Sequence, residues 1–225
     1  MRRRDLDALC VDYDRTLTDP DLLEPVPEAI RALEEARRRG KRVVVVSGRD
    51  LPFLVEHLGH AADAIVAENG CLVRGPDGTV AATSGGAWDL RPCLGALGVP
   101  IEYGEHLASL DVAQTERARE ALAQAGLDAD LVPNRDRVMV LPRGVDKAAG
   151  LRRALDLLGV DPRRAAAAGD GENDVPMLLA VGHGIAVANA VDELKAVASE
   201  VTQRPGGHGI AEWVSRAWLR PEVEA

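Results

Sequence analysis

The chain reads as an α/β protein: a parallel sheet with helices on both faces, interrupted by a small α+β insert. Three features predict this. Short apolar runs alternate with longer amphipathic ones from Leu6 to Ala67, the order that winds a parallel sheet. Between about Thr83 and Pro142 that alternation gives way to Gly- and Pro-containing sequence with a helix and strands of its own. After Gly144 the alternation resumes. With 225 residues and 46% hydrophobic content the chain can bury a real core. The expected division is a core of residues 1–82 and 143–225 and an insert of residues 83–142.

Each element has a local reason. Leu6 to Val11 is an apolar run of strand length. Pro27 to Arg39 is a helix with Pro27 in its first turn, Gly40 beyond its end and Arg37 to Arg39 complementing its dipole. Val43 to Val46 is β-branched and flanked by polar residues, which predicts a buried strand. Leu51 to Leu58 is a short helix and Ala64 to Ala67 a third strand. Leu72 to Arg74 and Thr79 to Ala81 flank Gly75-Pro76-Asp77-Gly78, a hairpin turn. In the insert, Val112 to Gln124 reads as a helix, and Leu127 to Val132 and Arg137 to Leu141 as strands. The remainder alternates: helix Lys147 to Leu158, strand Arg164 to Ala168, helix Val175 to Ala180, strand Ile185 to Ala188, helix Val191 to Ala198 and a last helix Gly209 to Trp218.

Composition narrows the function. The net charge of −9 disfavours nucleic acid and anionic membrane as partners, and 3% aromatic content leaves little for base stacking. No stretch is long enough to span a bilayer. Met1-Arg2-Arg3-Arg4 resembles the start of a signal peptide, but the acidic residues that follow leave no apolar region, so secretion is not expected. Cys10, Cys71 and Cys93 share no metal-ligand spacing and read as reduced thiols of a cytoplasmic protein.

Open parallel sheets bind ligands beyond the carboxyl ends of their strands. Four polar clusters fall there. Asp12 and Asp14 follow the first strand; two carboxylates one residue apart at a buried strand end call for a cation. Ser47-Gly48-Arg49 follows the second strand. Lys147 opens the helix after the insert. It is one of only three lysines, since 24 of the 27 basic residues are arginine, so its position is less a matter of chance. Gly169-Asp170-Gly171-Glu172-Asn173-Asp174 follows the Ala165 to Ala168 strand. That last cluster is not an EF-hand, because Val181 stands where the bidentate glutamate belongs.

In order, spacing and placement these clusters resemble the four motifs of the haloacid dehalogenase (HAD) superfamily of phosphohydrolases. The similarity covers nearly all the chain. The insert lies between the second and third motifs, as a C2-type cap does. Glu68-Asn69-Gly70 and Gly184-Ile185-Ala186-Val187-Ala188-Asn189-Ala190 resemble cap-bearing sugar-phosphate phosphatases, and the short cap most resembles archaeal-type phosphoglycolate phosphatases. The resemblance implies a Rossmann-like core and Mg²⁺-dependent hydrolysis of a small phosphorylated metabolite. Asp12 is then the nucleophile that forms an aspartyl-phosphate and Asp14 the acid and base. Asp12, the Asp14 backbone carbonyl, Asp170 and Asp174 are metal ligands. Ser47, Gly48, Lys147 and Asn173 bind the phosphoryl group.

Other readings stay beside this one. A phosphomutase returns the phosphoryl group to a sugar hydroxyl, and a non-catalytic module keeps the fold alone. Ser47 also reads as a cap for the helix near Asp50, and Lys147 as a solvated helix residue. Glu68 and Asn69 are either a strand end or substrate-proximal, and His106 either a surface residue or a substrate contact. Arg15 stands where the family usually has glycine. It either alters the loop, reaches over the pocket to an anionic substrate tail, or is solvated. Monomer and homodimer are both compatible with the sequence.

Overall fold

Small and β-branched side chains, buried on both faces, build the central sheet. The computed structural model describes residues 3–83 and 89–219. Residues 84–88 of the expected insert, and residues 1–2 and 220–225 at the ends, lie outside the described residues.

In chain order the elements are β1 (Ala8–Asp12), α1 (Pro27–Arg38), β2 (Arg42–Val46), α2 (Leu51–Leu58), β3 (Ala64–Ala67), β4 (Leu72–Arg74) and β5 (Val80–Ala82). Next come α3 (Arg91–Leu94), β6 (Ile101–Tyr103), β7 (Ala108–Asp111), α4 (Thr115–Gln124), β8 (Ala129–Asn134) and β9 (Arg137–Pro142). The chain then forms α5 (Lys147–Leu158), β10 (Ala165–Gly169), α6 (Val175–Leu179), β11 (His183–Ala186), α7 (Asp192–Val197), β12 (Glu200–Val201) and α8 (Gly206–Val214). A π-helical turn, Ser215–Leu219, extends α8.

Among the described residues there are two sheets. The eight-stranded sheet runs β12-β11-β10-β1-β2-β3-β4-β5. Its strands from β12 to β3 are parallel, and the β4–β5 hairpin adds to β3 antiparallel. The second sheet, β6-β7-β9-β8, is antiparallel throughout. No helix among the described residues is long and apolar enough to cross a membrane.

Period-two burial explains how the second sheet sits. Along β9, Val138 and Val140 pack with Leu94, Leu110 and Leu122 on the helix-covered face. Met139 and Leu141 point the other way, against Cys71 and Val145 at the eight-stranded sheet.

Several boundaries differ from expectation. Among the described residues the insert holds four strands, not two. β6 is a three-residue piece between Pro100 and Gly104, and β7 reads Ala-Ser-Leu-Asp, with too little β-branched character to signal a strand. The strand expected at Leu127 to Val132 lies at Ala129–Asn134; Pro133 is tolerated because β8 is an edge strand. The last helix begins three residues early, at Gly206-Gly207, which propensity argues against. Tertiary packing overrides it: a Cβ at Gly207 would lie 2.3 Å from the Leu17 carbonyl oxygen. The two-residue β12 was not legible at all.

Candidate active site

Strand order places the chemistry. The chain winds outward from β1 through β2 and β3 on one side, and through β10, β11 and β12 on the other. The crevice of such a sheet opens where the winding reverses, between β1 and β10. Asp12 closes β1 and Asp170 follows β10, so both stand at that point.

Lys147 reaches the crevice from the first turn of α5, which Asp146 caps by accepting from Ala149 N at 2.7 Å. Gly150 lets this helix lie close to β3, since a Cβ there would come within 2.4 Å of Val66 Cγ1. The Lys147 Nζ donates to Asp12 Oδ1 at 2.7 Å and to Asp174 Oδ1 at 2.6 Å. The other Asp174 oxygen accepts from the backbone N–H groups of Asp170 and Gly171, at 2.9 and 3.0 Å. Oxygens of Asp12, Asp170 and Asp174 lie within 4.8 Å of one another.

All four side chains are buried, and charge dominates their behaviour. Burial pushes Asp12 well above the ordinary carboxylate range, and Asp174, Asp170 and Asp14 add to that push against the pull of Lys147. Burial and Asp174 raise Asp170, against Arg135 and Lys147. Burial works against the Lys147 ammonium, yet Asp12 and Asp174 outweigh it and hold Lys147 above the ordinary lysine value.

The Asp14 carboxylate is not part of this group of oxygens. Arg49 holds it with three contacts, Nη2 to Oδ1 at 2.6 Å and Nε to Oδ2 and Oδ1 at 3.0 and 3.2 Å. Arg49 itself lies over the Phe53 ring, 4.9 Å from its centroid. Ser47 is buried, and its Oγ accepts from Arg49 N at 3.1 Å. The helix cap is Asp50, which accepts from Phe53 N at 2.8 Å, so Ser47 is not the cap. Asn173 Nδ2 donates to Asn69 Oδ1 at 3.2 Å, and Asn69 Nδ2 in turn contacts Met139 Sδ of β9.

A chamber of about 110 Å³ brings together Asp12, Asp14, Gly48, Lys147, Asp170 and Asn173. Arg15, Asn134 and Arg135 complete its wall. A neighbouring cavity of about 450 Å³ shares Asp14, Gly48 and Asn134 with the chamber and extends under Tyr103, Ser109 and Met139 of the second sheet. Thus the carboxylates of Asp12, Asp14 and Asp170 and the Lys147 ammonium share one small space, with a larger cavity next to it.

The family pattern described as haloacid dehalogenase-like hydrolase matches residues 105–214. The phosphoglycolate phosphatase of Natronomonas pharaonis is 33% identical over 228 residues, covering 93% of this chain and 96% of that protein. That of Pyrobaculum neutrophilum is 34% identical, covering 92% of this chain and 93% of its own length. The chain belongs to the haloacid dehalogenase-like hydrolases. It is a phosphatase of that family. A solved structure from Thermoplasma acidophilum shares the fold with a TM-score of 0.79 at 20% identity, covering 96% of this chain and 99% of that one. A sugar phosphatase of HAD subclass IIB shares it at 0.76 and 20% identity, covering 95% and 100%.

Phosphatases of this family use a divalent metal, and this hydrolase has residues that fit one. Hard carboxylate oxygens from Asp12, Asp170 and Asp174 converge within 4.8 Å of one another, the donor type that suits a hard divalent cation. The Asp14 carboxylate lies outside that group, which leaves its backbone carbonyl as the ligand expected of it.

Some site residues of the hydrolase were not legible. Glu68 is more than a strand end: it lines the larger cavity, and its buried carboxylate accepts from Glu105 N at 2.8 Å and His106 N at 2.6 Å, tying the end of β3 to the β6–β7 turn. His106 enters through its backbone; its ring pairs with Glu105 and does not line the chamber. Arg135 contacts Asp170 from the β8–β9 turn. Its one sequence signal was Arg135-Asp136 in a two-residue hairpin loop, where glycine is usual.

Proposed function

We propose that this phosphatase hydrolyses a small phosphorylated acid, with phosphoglycolate the first candidate, using Mg²⁺ and a phospho-Asp12 intermediate. The observation that carries the mechanism is the Asp12–Lys147–Asp174 contact at the reversal point of the sheet, beside Asp170. The substrate class rests on the curated relatives, which bear that name over more than 90% of this chain.

A carboxylate and a phosphate dianion repel by roughly 4 kcal/mol per charge pair at 4 Å and an effective dielectric of about 20. Bound Mg²⁺, held by Asp12, the Asp14 carbonyl, Asp170 and Asp174, would offset that repulsion and keep Asp12 ionised. The Asp12 carboxylate attacks phosphorus in line. The bond to the ester oxygen breaks, and Asp14 gives its proton to the departing alkoxide. Asp14 then takes a proton from water, which attacks phospho-Asp12 and releases phosphate. Lys147 sets the position of Asp12 and contributes fixed charge toward the phosphoryl oxygens. Gly48 and Asn173 line the chamber, and Ser47, buried next to Gly48 and not itself on the wall, would donate its hydroxyl proton toward the phosphoryl group. Arg49 holds the Asp14 carboxylate, which lines both the chamber and the larger cavity, where it can reach the leaving oxygen.

Residues 83–142 act as the cap and residues 1–82 and 143–225 as the catalytic core. The free cysteines agree with a cytoplasmic setting.

A panel of phosphate esters assayed with and without Mg²⁺ tests the reading. Turnover should need the metal and be fastest with phosphoglycolate. Asp12→Asn should lower kcat by at least ~10⁴-fold with circular dichroism unchanged. Near-normal turnover by that variant would exclude Asp12 as nucleophile.

A further inference from the structure

Two arginines share an uncommon backbone state and one target. Arg15, in the loop after β1, has φ of 59°, and Arg135, in the β8–β9 loop, has φ of 56°. A side chain in the left-handed region costs roughly 1–2 kcal/mol that glycine avoids. Neither loop needs an arginine to turn. Yet both guanidinium groups converge on a single atom, Asp170 Oδ2: Arg135 through Nη2, and Arg15 through Nε at 3.4 Å. The Arg15 Nε is buried without a hydrogen-bond partner among the described residues. Strain of this kind persists where the surrounding structure uses it.

Arg15 Nη1 also donates to the Pro20 carbonyl at 3.2 Å, but one carboxylate oxygen cannot satisfy the remaining donors of two guanidinium groups. Asp170 also stands in the acid cluster that fits a cation, so its charge is claimed from a third side. The arginines follow strands of different sheets, and both line the chamber that holds Asp12 and Lys147. Lys147 is already committed to Asp12 and Asp174.

We infer that Arg15 and Arg135 form a two-sided clamp for a second anionic group of the substrate, held close to the reacting phosphorus. The inference rests on the phosphatase reading above and adds to it the residues that hold the second acid of a short phosphate monoester. The arm must be short because both guanidinium groups line the small chamber rather than the larger cavity. A carboxylate matches the guanidinium fork in two contacts, and a phosphate does so as well. A neutral leaving group gives the clamp nothing to hold.

Calorimetric binding of non-hydrolysable analogues to the full chain in Mg²⁺ buffer tests the clamp. The ligands are 3-phosphonopropionate, ethane-1,2-diyl bisphosphonate and propylphosphonate. The variants are Arg15→Gly, Arg135→Gly and the double variant. Glycine is the residue these backbone angles favour, so thermal unfolding should show each variant folded. The wild type should bind an acidic analogue about tenfold or more tighter than propylphosphonate. Each single variant should shrink that ratio, and the double variant should bring it to about one. The tighter acidic analogue identifies the second anion as carboxylate or phosphate. An unchanged ratio in the variants overturns the clamp. Parallel loss of all three ligands also overturns it, assigning the arginines to the phosphoryl group instead. Hydrolysis of ethyl phosphate by the wild type is the separate check: turnover with an unchanged ratio sinks only the clamp, whereas no turnover of any ester sinks the phosphatase mechanism beneath it.

Discussion

The eight-stranded sheet and the four-stranded sheet meet over the same carboxylates but are held there by different means. On the eight-stranded side the charged groups sit at strand ends, buried, and fixed by backbone N–H groups and by one another: Asp174 on Asp170 N and Gly171 N, Lys147 on Asp12 and Asp174. On the four-stranded side a few side chains make the junction: Glu68 under the β6–β7 turn, Met139 and Leu141 of β9, and the half-exposed Arg135. A site built of regular backbone holds its geometry closely, whereas a junction of few side chains can open at low cost. The difference teaches that the larger sheet fixes the carboxylates and Lys147, while the smaller one adds Asn134, Arg135, Tyr103, Ser109 and Met139 to the walls around them.

The sharpest way to break this comparison is Lys147→Met. Removing the ammonium leaves Asp12 and Asp174 buried without their cation, which should cost about 3–5 kcal/mol of stability by urea unfolding. The rate should fall by ~10²–10³-fold. Added divalent metal should restore part of the stability, since it binds only the folded cluster. A variant as stable as wild type without metal would mean that the larger sheet does not depend on this contact.

Glu68→Gln probes the junction instead. One amide oxygen cannot replace a carboxylate that accepts from two N–H groups, so about 1.5–3 kcal/mol of cap anchoring is lost. KM should rise by about tenfold or more while kcat changes less, because Asp12 and Lys147 are untouched. Equal loss in kcat alone would show that Glu68 shapes the chemistry and would blur the division between the sheets.

The smallest effect is expected at the far edge of the larger sheet. Glu200 pairs with Arg3 and Arg216 and accepts from Trp213 Nε1. Burial works to raise its pKa, but Arg216, Arg3, His183 and Trp213 outweigh burial and hold it below the ordinary glutamate value of 4.5. A depressed carboxylate stabilises the fold above its unfolded pKa and loses that contribution as pH falls through its folded one. Glu200→Gln should therefore cost on the order of 1 kcal/mol at neutral pH, with the gap to wild type closing at acid pH. Activity at saturating substrate should not change. A gap that widens on acidification would reverse the sign of this coupling.

Much of the larger sheet was legible. Val43 to Val46 and Ala64 to Ala67 declared themselves as buried strands by apolar runs, and Lys147 to Leu158 as a helix by its period. Asp12, Lys147, Asp170 and Asp174 could be singled out because carboxylates and a lysine at buried strand and helix ends are costly unless they meet. The smaller sheet was half legible. Short strands with mixed faces, such as Ile101–Tyr103 and Ala108–Asp111, take their stability from pairing rather than from local preference. Glu68 looked like an isolated acid because its partners are backbone N–H groups of Glu105 and His106, which no side-chain pattern announces.

Arg15 and Arg135 mark the boundary most clearly. Composition and order along the chain determined the α/β class, the four polar clusters and the odd arginine at position 15, since these depend on local period and on the cost of burying charge. Only the tertiary structure brought Arg135, which follows Arg15 by 120 positions, to the same oxygen of Asp170. A hairpin loop of arginine and aspartate is locally indistinguishable from solvated surface. Its role comes from the docking of one sheet on another, and that docking is decided by the alternate faces of β9 and the carboxylate of Glu68.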